Sequence, residues 1–133
     1  MHINGGCHCG KISYEAEIDP NAVGICHCTD CQTLSGTAFR TVVSTKKEDL
    51  KVVGEPKVYI KTAESGNKRA QAFCGDCGTP LWATSPTDAQ VFGLRVGAIK
   101  QRDQLVPKRQ VWARSSQGWL SQLGSMTRLE KQT

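Results

Sequence analysis

The chain has 133 residues, of which 38% are hydrophobic, and it carries a formal charge of +5. This length predicts one domain, and we see neither a signal-peptide pattern nor an apolar run long enough to cross a membrane, so we expect an intracellular, cytoplasmic protein. Seven cysteines in a reducing compartment indicate metal binding or thiol chemistry rather than disulfides. Seven thiolates on two Zn²⁺ ions would lower the charge from +5 to +2, and the basic residues are scattered along the sequence, so a nucleic-acid partner is not expected.

Short extended stretches separated by turn signals predict an all-β fold. The pattern is clearest at Ile12, Tyr14, Ala16 and Ile18, which alternate with polar residues and would form one dry face of a strand. Further strands are predicted at residues 22–26, 39–43, 50–53, 58–60, 70–73, 91–96 and 110–113, and short helical segments at 32–36 and 119–123.

The domain is expected to cover residues 1–125, followed by a polar C-terminal tail at 126–133. Its large aromatic side chains are most simply placed in the core, because burying them removes the most apolar surface from water. These are Phe39, Phe73, Trp82, Phe92, Trp112 and Trp119.

The central cysteines, Cys26, Cys28 and Cys31, have the spacing Cys-x-Cys-x-x-Cys. Extended backbone would place the first two sulfurs on one face, and a turn at Thr29-Asp30 could return the third to the same point. Three thiolates suit Zn²⁺, and a zinc ion with three protein ligands keeps one position open for water or substrate. We therefore predict a catalytic zinc site at these three cysteines.

The remaining cysteines form the pairs Cys7-x-Cys9 and Cys74-x-x-Cys77, and Gly78 follows the last of them. A closed set of four thiolates is typical of structural zinc, so we predict two zinc ions for each chain. The division into four and three is an inference. The spacing also allows the two Cys-x-Cys pairs to share one metal, a binuclear cluster, or an iron–sulfur cluster.

Other polar residues near these motifs have less specific interpretations. The histidines are expected at the surface or behind the metal ligands, facing away from the ion; they are His2, His8 and His27. Turn formation or capping is the simpler role for the small polar residues, which are Asp30, Asp76, Ser35 and Thr37. Asp30 could instead accept a proton near the open site, and Ser35 and Thr37 could hydrogen-bond a substrate. Three basic residues could hold a substrate carboxylate, with solvated surface as the default; they are Lys11, Arg40 and Arg95.

Three segments carry a family resemblance: GGCHCGKISYE at residues 5–15, CHCTDCQTLSG at 26–36 and FCGDCGTPL at 73–81. In this order they resemble the motifs of the glutathione-dependent formaldehyde-activating enzyme family, which also includes centromere protein V. The chain departs from the family at Gln32, where a basic residue is common.

The resemblance implies an Mss4-like, zinc-stabilised β-sheet domain and assigns each cysteine a role. Cys7, Cys9, Cys74 and Cys77 would bind the structural zinc, and Cys26, Cys28 and Cys31 the catalytic one. The implied activity is that of a carbon–sulfur lyase, which adds a small, glutathione-like thiol to an aldehyde such as formaldehyde and reverses that addition. The zinc would generate and orient the thiolate nucleophile.

Two other classes of protein stay open at this point. A non-catalytic zinc module for protein or nucleic-acid binding would close the central site with a fourth protein ligand, whereas an enzyme would leave that position to water or thiol. A redox-sensing thiol protein would instead join the central cysteines in a reversible disulfide without metal.

Overall fold

The computed structural model describes residues 1–132, most of which lie in or between short β-strands. The predicted all-β class is confirmed. The strands are β1 (His2–Gly6), β2 (Ser13–Glu17), β3 (Gly24–Cys26), β4 (Arg40–Lys46), β5 (Leu50–Val53), β6 (Lys57–Thr62), β7 (Lys68–Phe73), β8 (Pro80–Thr84), β9 (Val91–Arg95) and β10 (Arg109–Val111). One α-helix, α1 (Thr29–Ser35), and several 3₁₀ turns complete the described part of the chain.

The strands form two sheets. A three-stranded sheet has the order β1-β2-β5, and a seven-stranded sheet has the order β10-β3-β4-β9-β8-β7-β6. All neighbours pair antiparallel except β10 and β3, which run parallel. The long jumps in sequence order bring residues from both halves of the chain onto one sheet.

The core lies between one face of each sheet. In β2 the buried residues Tyr14 and Ala16 alternate with exposed ones, as their sequence pattern predicts. The Tyr14 ring packs edge-on against Trp82 of β8, with the two ring centroids 5.8 Å apart. Gly5 lies opposite Tyr14 in the register, and a Cβ at this position would collide with the tyrosine ring. The glycine in β1 therefore allows the ring to lie flat against the small sheet.

Two strands and two aromatic positions differ from the sequence predictions. The strands β1 and β8 were not predicted, because each depends on pairing with a partner strand more than on a pattern of its own. Trp112 and Trp119 were expected in the core, which is wrong: they are 42% and 44% exposed. Both follow the last edge strand, where no further layer covers them.

The C-terminal end has little regular structure in its described part. A 3₁₀ segment covers Gly118–Ser125, where an amphipathic helix was predicted at 119–123, and residues 126–132 contain neither helix nor strand. The predicted tail also includes Thr133, which lies outside the described residues. None of the helices in residues 1–132 has the length and apolar character that a membrane crossing needs.

Candidate functional site

Four of the seven cysteines meet where the two sheets come together. Cys7 follows β1 of the small sheet, and Cys74 follows β7 of the large sheet. With Cys9 and Cys77 they place four Sγ atoms within 4.8 Å of one another. A metal ion held by all four would therefore link the two sheets.

The geometry of this group fits tetrahedral zinc. The Sγ atoms of Cys7 and Cys9 are 3.6 Å apart, and those of Cys9 and Cys74 are 3.7 Å apart. Four sulfurs at about 2.3 Å from one ion lie about 3.8 Å from each other, whereas a disulfide needs about 2.05 Å. The donor set and its spacing thus match a closed Cys₄ zinc site.

Nearby donors favour the thiolate form of Cys7 and Cys77. The N–H of Ile12 donates to Cys7 Sγ at 3.2 Å, and the Thr79 hydroxyl lies 3.2 Å from Cys77 Sγ. Hydrogen bonds, that of the Thr79 hydroxyl first, lower the pKa of the Cys77 thiol to about 5. Gly78 has a φ of 79°, and this left-handed turn lets its N–H donate to the Cys74 carbonyl at 2.8 Å.

The other three cysteines surround the start of α1. Cys26 ends β3, Cys28 precedes the helix and Cys31 lies in its first turn, so that their Sγ atoms lie within 4.8 Å of one another. Cys28 caps the helix, since its Sγ accepts a hydrogen bond from the Cys31 N–H at 3.3 Å. Within residues 1–132, no His, Cys, Asp or Glu side chain joins this group as a fourth donor. The cysteines thus fall into the two groups that the sequence predicts, while their roles as ligands stay predictions.

A cavity of about 280 Å³ opens beside Cys26 and Cys31. It lies on the face of the large sheet that points away from the core, where alternate residues of neighbouring strands form its floor. Val42 and Gln71 belong to this floor. Gly24 also lines the cavity, and this glycine leaves open the space that a side chain would fill.

None of the described residues that line this cavity is acidic. Four of them are cationic: Lys61, Arg69, Arg95 and Arg109. They come from β6, β7, β9 and β10, so the basic residues that look scattered in the sequence converge in the fold. Lys61 and Arg69 are direct cross-strand partners, and like charges in this position destabilise a sheet. Within residues 1–132 only Lys61 of these four has a carboxylate within 4 Å, that of Asp30 at 3.1 Å. This excess of positive charge suits an anionic ligand.

A fifth cation, Arg40, lies beside Arg95 and donates to the same acceptor. Arg95 Nη2 donates to Gln71 Oε1 at 2.6 Å, and Arg40 Nη1 donates to the same oxygen at 3.2 Å. Burial, and then the charge of Arg40, lowers the pKa of Arg95 to about 9. The expectation of solvated surface is wrong for both arginines. Arg40 is 5% exposed and Arg95 is partly buried, because the central strands enclose them.

The remaining predicted polar residues lie around the cysteine groups without entering the cavity. Lys11 and Asp76 form an exposed ion pair next to the four-cysteine group, and Asp30 pairs with Lys61. The Ser35 hydroxyl donates to the Gln32 carbonyl at 3.4 Å within α1, whereas Thr37 is exposed.

The histidines differ in their surroundings. His2 and His8 are exposed, and His2 Nδ1 lies 2.8 Å from a Glu17 carboxylate oxygen. His27 is only 1% exposed, and its Nε2 lies 2.6 Å from Gln110 Oε1. It therefore packs behind the three-cysteine group, on the side opposite to the cavity, as predicted for a histidine between two ligands.

A second opening lies on the other side of the three cysteines. It has a volume of about 570 Å³, and Cys28 and Lys61 lie on its border together with Trp112 and Arg114. The Arg114 guanidinium stacks over the Trp112 ring, 4.9 Å from its centroid. Sequence reasoning allowed one of the six aromatic side chains to line a pocket beside the second zinc, but it did not single out Trp112, and it missed Arg114, because both come more than 80 residues after the cysteines and carry no motif.

Comparison with known proteins agrees with this arrangement of cysteines. Residues 2–115 match the family described as glutathione-dependent formaldehyde-activating enzyme. The chain belongs to this family. A crystal structure of a Rhodobacter sphaeroides protein, solved as a structural-genomics target, has the same fold, with a TM-score of 0.61 and 19% sequence identity over 81% of this chain and 99% of that one. No curated protein is significantly similar to the chain. Family membership makes zinc the metal to test at both cysteine groups.

Proposed function

We propose that the protein is a zinc-dependent carbon–sulfur lyase, which joins a small anionic thiol to an aldehyde such as formaldehyde and catalyses the reverse reaction. The observation that carries this proposal is the contact between the three-cysteine group and a cavity lined by four cations. A purely structural metal site has no need for such a cavity. Family membership supplies the expected chemistry.

The cavity suits a small thiol that carries carboxylates. Guanidinium groups bind carboxylates through paired, planar hydrogen bonds, and Arg69, Arg95 and Arg109 have no carboxylate partner among residues 1–132. The volume of about 280 Å³ is at the lower end of ligand pockets and suits a small substrate. A glutathione-like thiol could place its carboxylates on the arginines and its sulfur towards Cys26 and Cys31.

The protein residues are proposed to bind, orient and shield the reactants. Cys26, Cys28 and Cys31 would hold a zinc ion, which when bound lowers the pKa of a thiol and favours its nucleophilic form. The arginines fix the carboxylate end of the substrate, and this fixes the direction in which its sulfur points. Lys61 lies between both openings and pairs with Asp30, where it could bind an oxygen that becomes anionic on the aldehyde.

The proposal can be tested by exchange spectroscopy at equilibrium. Thiols add to formaldehyde without a catalyst, so the rate of interconversion between the thiol and its S-hydroxymethyl adduct is measured with and without protein. We expect the zinc-loaded protein to accelerate this exchange for glutathione, and Cys31→Ser to abolish the acceleration. An unchanged rate across several thiols, with two zinc ions bound, would contradict the proposal.

The alternative is a non-catalytic zinc module that binds an acidic protein or a nucleic acid. The same unpaired cations favour it, since phosphate backbones also bind arginine. Binding of an unspecific DNA or RNA oligonucleotide at physiological salt, without any effect on thiol exchange, would support this alternative. The single-domain organisation over residues 1–125 and the cytoplasmic location belong to the proposal in either case.

A further inference from the structure

The segment from residue 109 to residue 117, here called the strap, runs along the outer edge of the large sheet. Among residues 1–132 its strand β10 pairs with β3 alone, in parallel, and Val111 lies opposite Cys26 in the register. Beyond this pairing the His27 N–H donates to the Val111 carbonyl at 3.1 Å. Nearly all residues of the strap are exposed, so it has little burial to hold it.

The strap nevertheless borders both openings beside the three cysteines. Arg109 and Val111 line the cationic cavity, and Trp112 and Arg114 line the second opening. Trp112 has a φ of 55°, a left-handed conformation that is unusual for a bulky residue and marks a locally constrained backbone. Where the strap lies therefore decides the shape of both openings.

One side chain connects the strap to the cysteine loop. Gln32, the residue after Cys31, donates from Nε2 to the His27 carbonyl at 2.7 Å and to the Ser115 carbonyl at 3.0 Å. Its Oε1 accepts a hydrogen bond from Gln117 Nε2 at 2.7 Å. The carboxamide thus uses both of its donors and one acceptor to join the loop with the strap.

We propose that Gln32 is a positioning residue, which holds the strap against the cysteine loop and so sets the substrate-binding walls of the three-cysteine site. The part of this inference that concerns KM rests on the proposed function. An amide is needed because it supplies donors and an acceptor from one planar group. A basic residue at this position could donate to the two carbonyls but could not accept from Gln117.

Three variants separate these contributions. Gln32→Glu keeps the shape but removes both donors and places a carboxylate against two carbonyl oxygens. Gln32→Lys keeps hydrogen-bond donors but loses the acceptor for Gln117. In the double variant Gln32→Lys with Gln117→Glu, the glutamate supplies an acceptor for the lysine. Gln122→Glu, an exposed change of the same kind in the C-terminal 3₁₀ segment, is the matched control.

Hydrogen exchange measures the strap without any substrate. In zinc-loaded protein we expect Gln32→Glu to speed amide exchange in residues 109–117 by about tenfold, the effect of losing hydrogen bonds of ordinary net strength. Gln32→Lys should have a smaller effect, the double variant should return towards the wild-type rate, and the control should equal the wild type. Unchanged exchange in the strap, or the same increase throughout the chain, would overturn the proposal.

Kinetics then separate positioning from a general structural role. We expect Gln32→Glu to raise the KM for a carboxylate-bearing thiol by about tenfold with a much smaller change in kcat, because the walls bind substrate while the cysteines are retained. The double variant should recover KM. A KM equal to that of the wild type despite a loosened strap would overturn the link between strap and site. If the wild type does not accelerate the exchange between thiol and adduct at all, the proposed function fails. The amide hydrogen-exchange data alone then still decide whether Gln32 holds the strap.

Discussion

Replacing Arg95 by glutamine should weaken the binding of a carboxylate-bearing thiol and, at the same time, stabilise the ligand-free fold. Arg95 shares Gln71 Oε1 with Arg40 and has no carboxylate partner among residues 1–132. The thiolates of Cys31 and Cys26 favour its charge only in part, and a carboxylate that enters the cavity would give it a direct partner. Arg95→Gln removes the charge and keeps a polar side chain that can still donate to Gln71.

The two effects can be estimated from the structure. A hydrogen bond to a charged group contributes about 1.5–3 kcal/mol, so the KM should rise by about 10- to 150-fold. Burial lowers the pKa of Arg95 to about 9, which means that the folded protein binds this proton more weakly than the unfolded chain does. The charge of Arg95 therefore destabilises the folded protein by its full amount below about pH 9, and this destabilisation decreases as the pH rises further. After screening by nearby solvent, we expect a gain in the free energy of unfolding of about 1–2 kcal/mol at pH 7.

The assay pairs two substrates with two variants. KM is measured for glutathione and for cysteamine, which has no carboxylate, and thermal unfolding is followed at pH 7 and pH 10. Arg95→Gln should raise KM only for glutathione and should raise the melting temperature at pH 7 by about 3–8 °C, with a smaller gain at pH 10. Arg128→Gln, in the exposed C-terminal tail, is the control and should change neither. An equal loss for both thiols, or a lower melting temperature, would refute the reasoning.

Three further predictions follow from the geometry. Cys74→Ser should abolish folding. Cys31→Ser should keep the β-sheet signal in circular dichroism and lose one zinc by metal analysis, and equal metal loss in both variants would contradict the separation into two sites. Gly78→Ala should lower the free energy of unfolding in chemical denaturation by about 1–2 kcal/mol, because φ is 79° there. The space beside Gly78 is open, so the loss would come from backbone strain without a side-chain clash, and no change would mean that the turn relaxes. Gly24→Val should place a branched side chain in the cavity beside Arg109 and raise the KM for thiols, with both zinc ions retained; an unaltered KM would place the substrate elsewhere.

Local patterns in the sequence were enough for much of the sheet. The alternation around Tyr14 predicted β2 because one face of that strand is buried and the other exposed. β8 shows no such alternation, since Leu81, Trp82 and Ala83 are all buried, and its proline start resembles a turn. β1 contains two glycines, and its stability comes from pairing with β2 and from packing of the Tyr14 ring. Strands of this kind cannot be identified from their own residues.

The cysteine groups were predictable for a different reason. Each pair or trio spans only three to six residues, so local geometry can bring its own sulfurs together. Spacing alone left the joining of the two distant pairs open, and that step came from the preference of structural zinc for four thiolates and from the family resemblance. The cationic cavity is the opposite case. Lys61, Arg69, Arg95 and Arg109 lie on four strands whose order in the sheet is not their order in the sequence. A charge count along the chain therefore treats them as scattered surface residues, and only strand order reveals that they face one space.

The cavity beside the three-cysteine group is expected to depend on the metal of the four-cysteine group, because that metal stabilises the fold. The cations around the cavity repel one another, and Arg69, Arg95 and Arg109 lack a carboxylate partner among residues 1–132. The large sheet therefore carries a cost that the small, 38% hydrophobic chain must offset elsewhere. A metal on the four-cysteine group would do this, because binding free energy at a closed zinc site adds directly to folding, and this group links the two sheets. It follows that removing that metal should disturb the cationic cavity even though none of its four cysteines lines it.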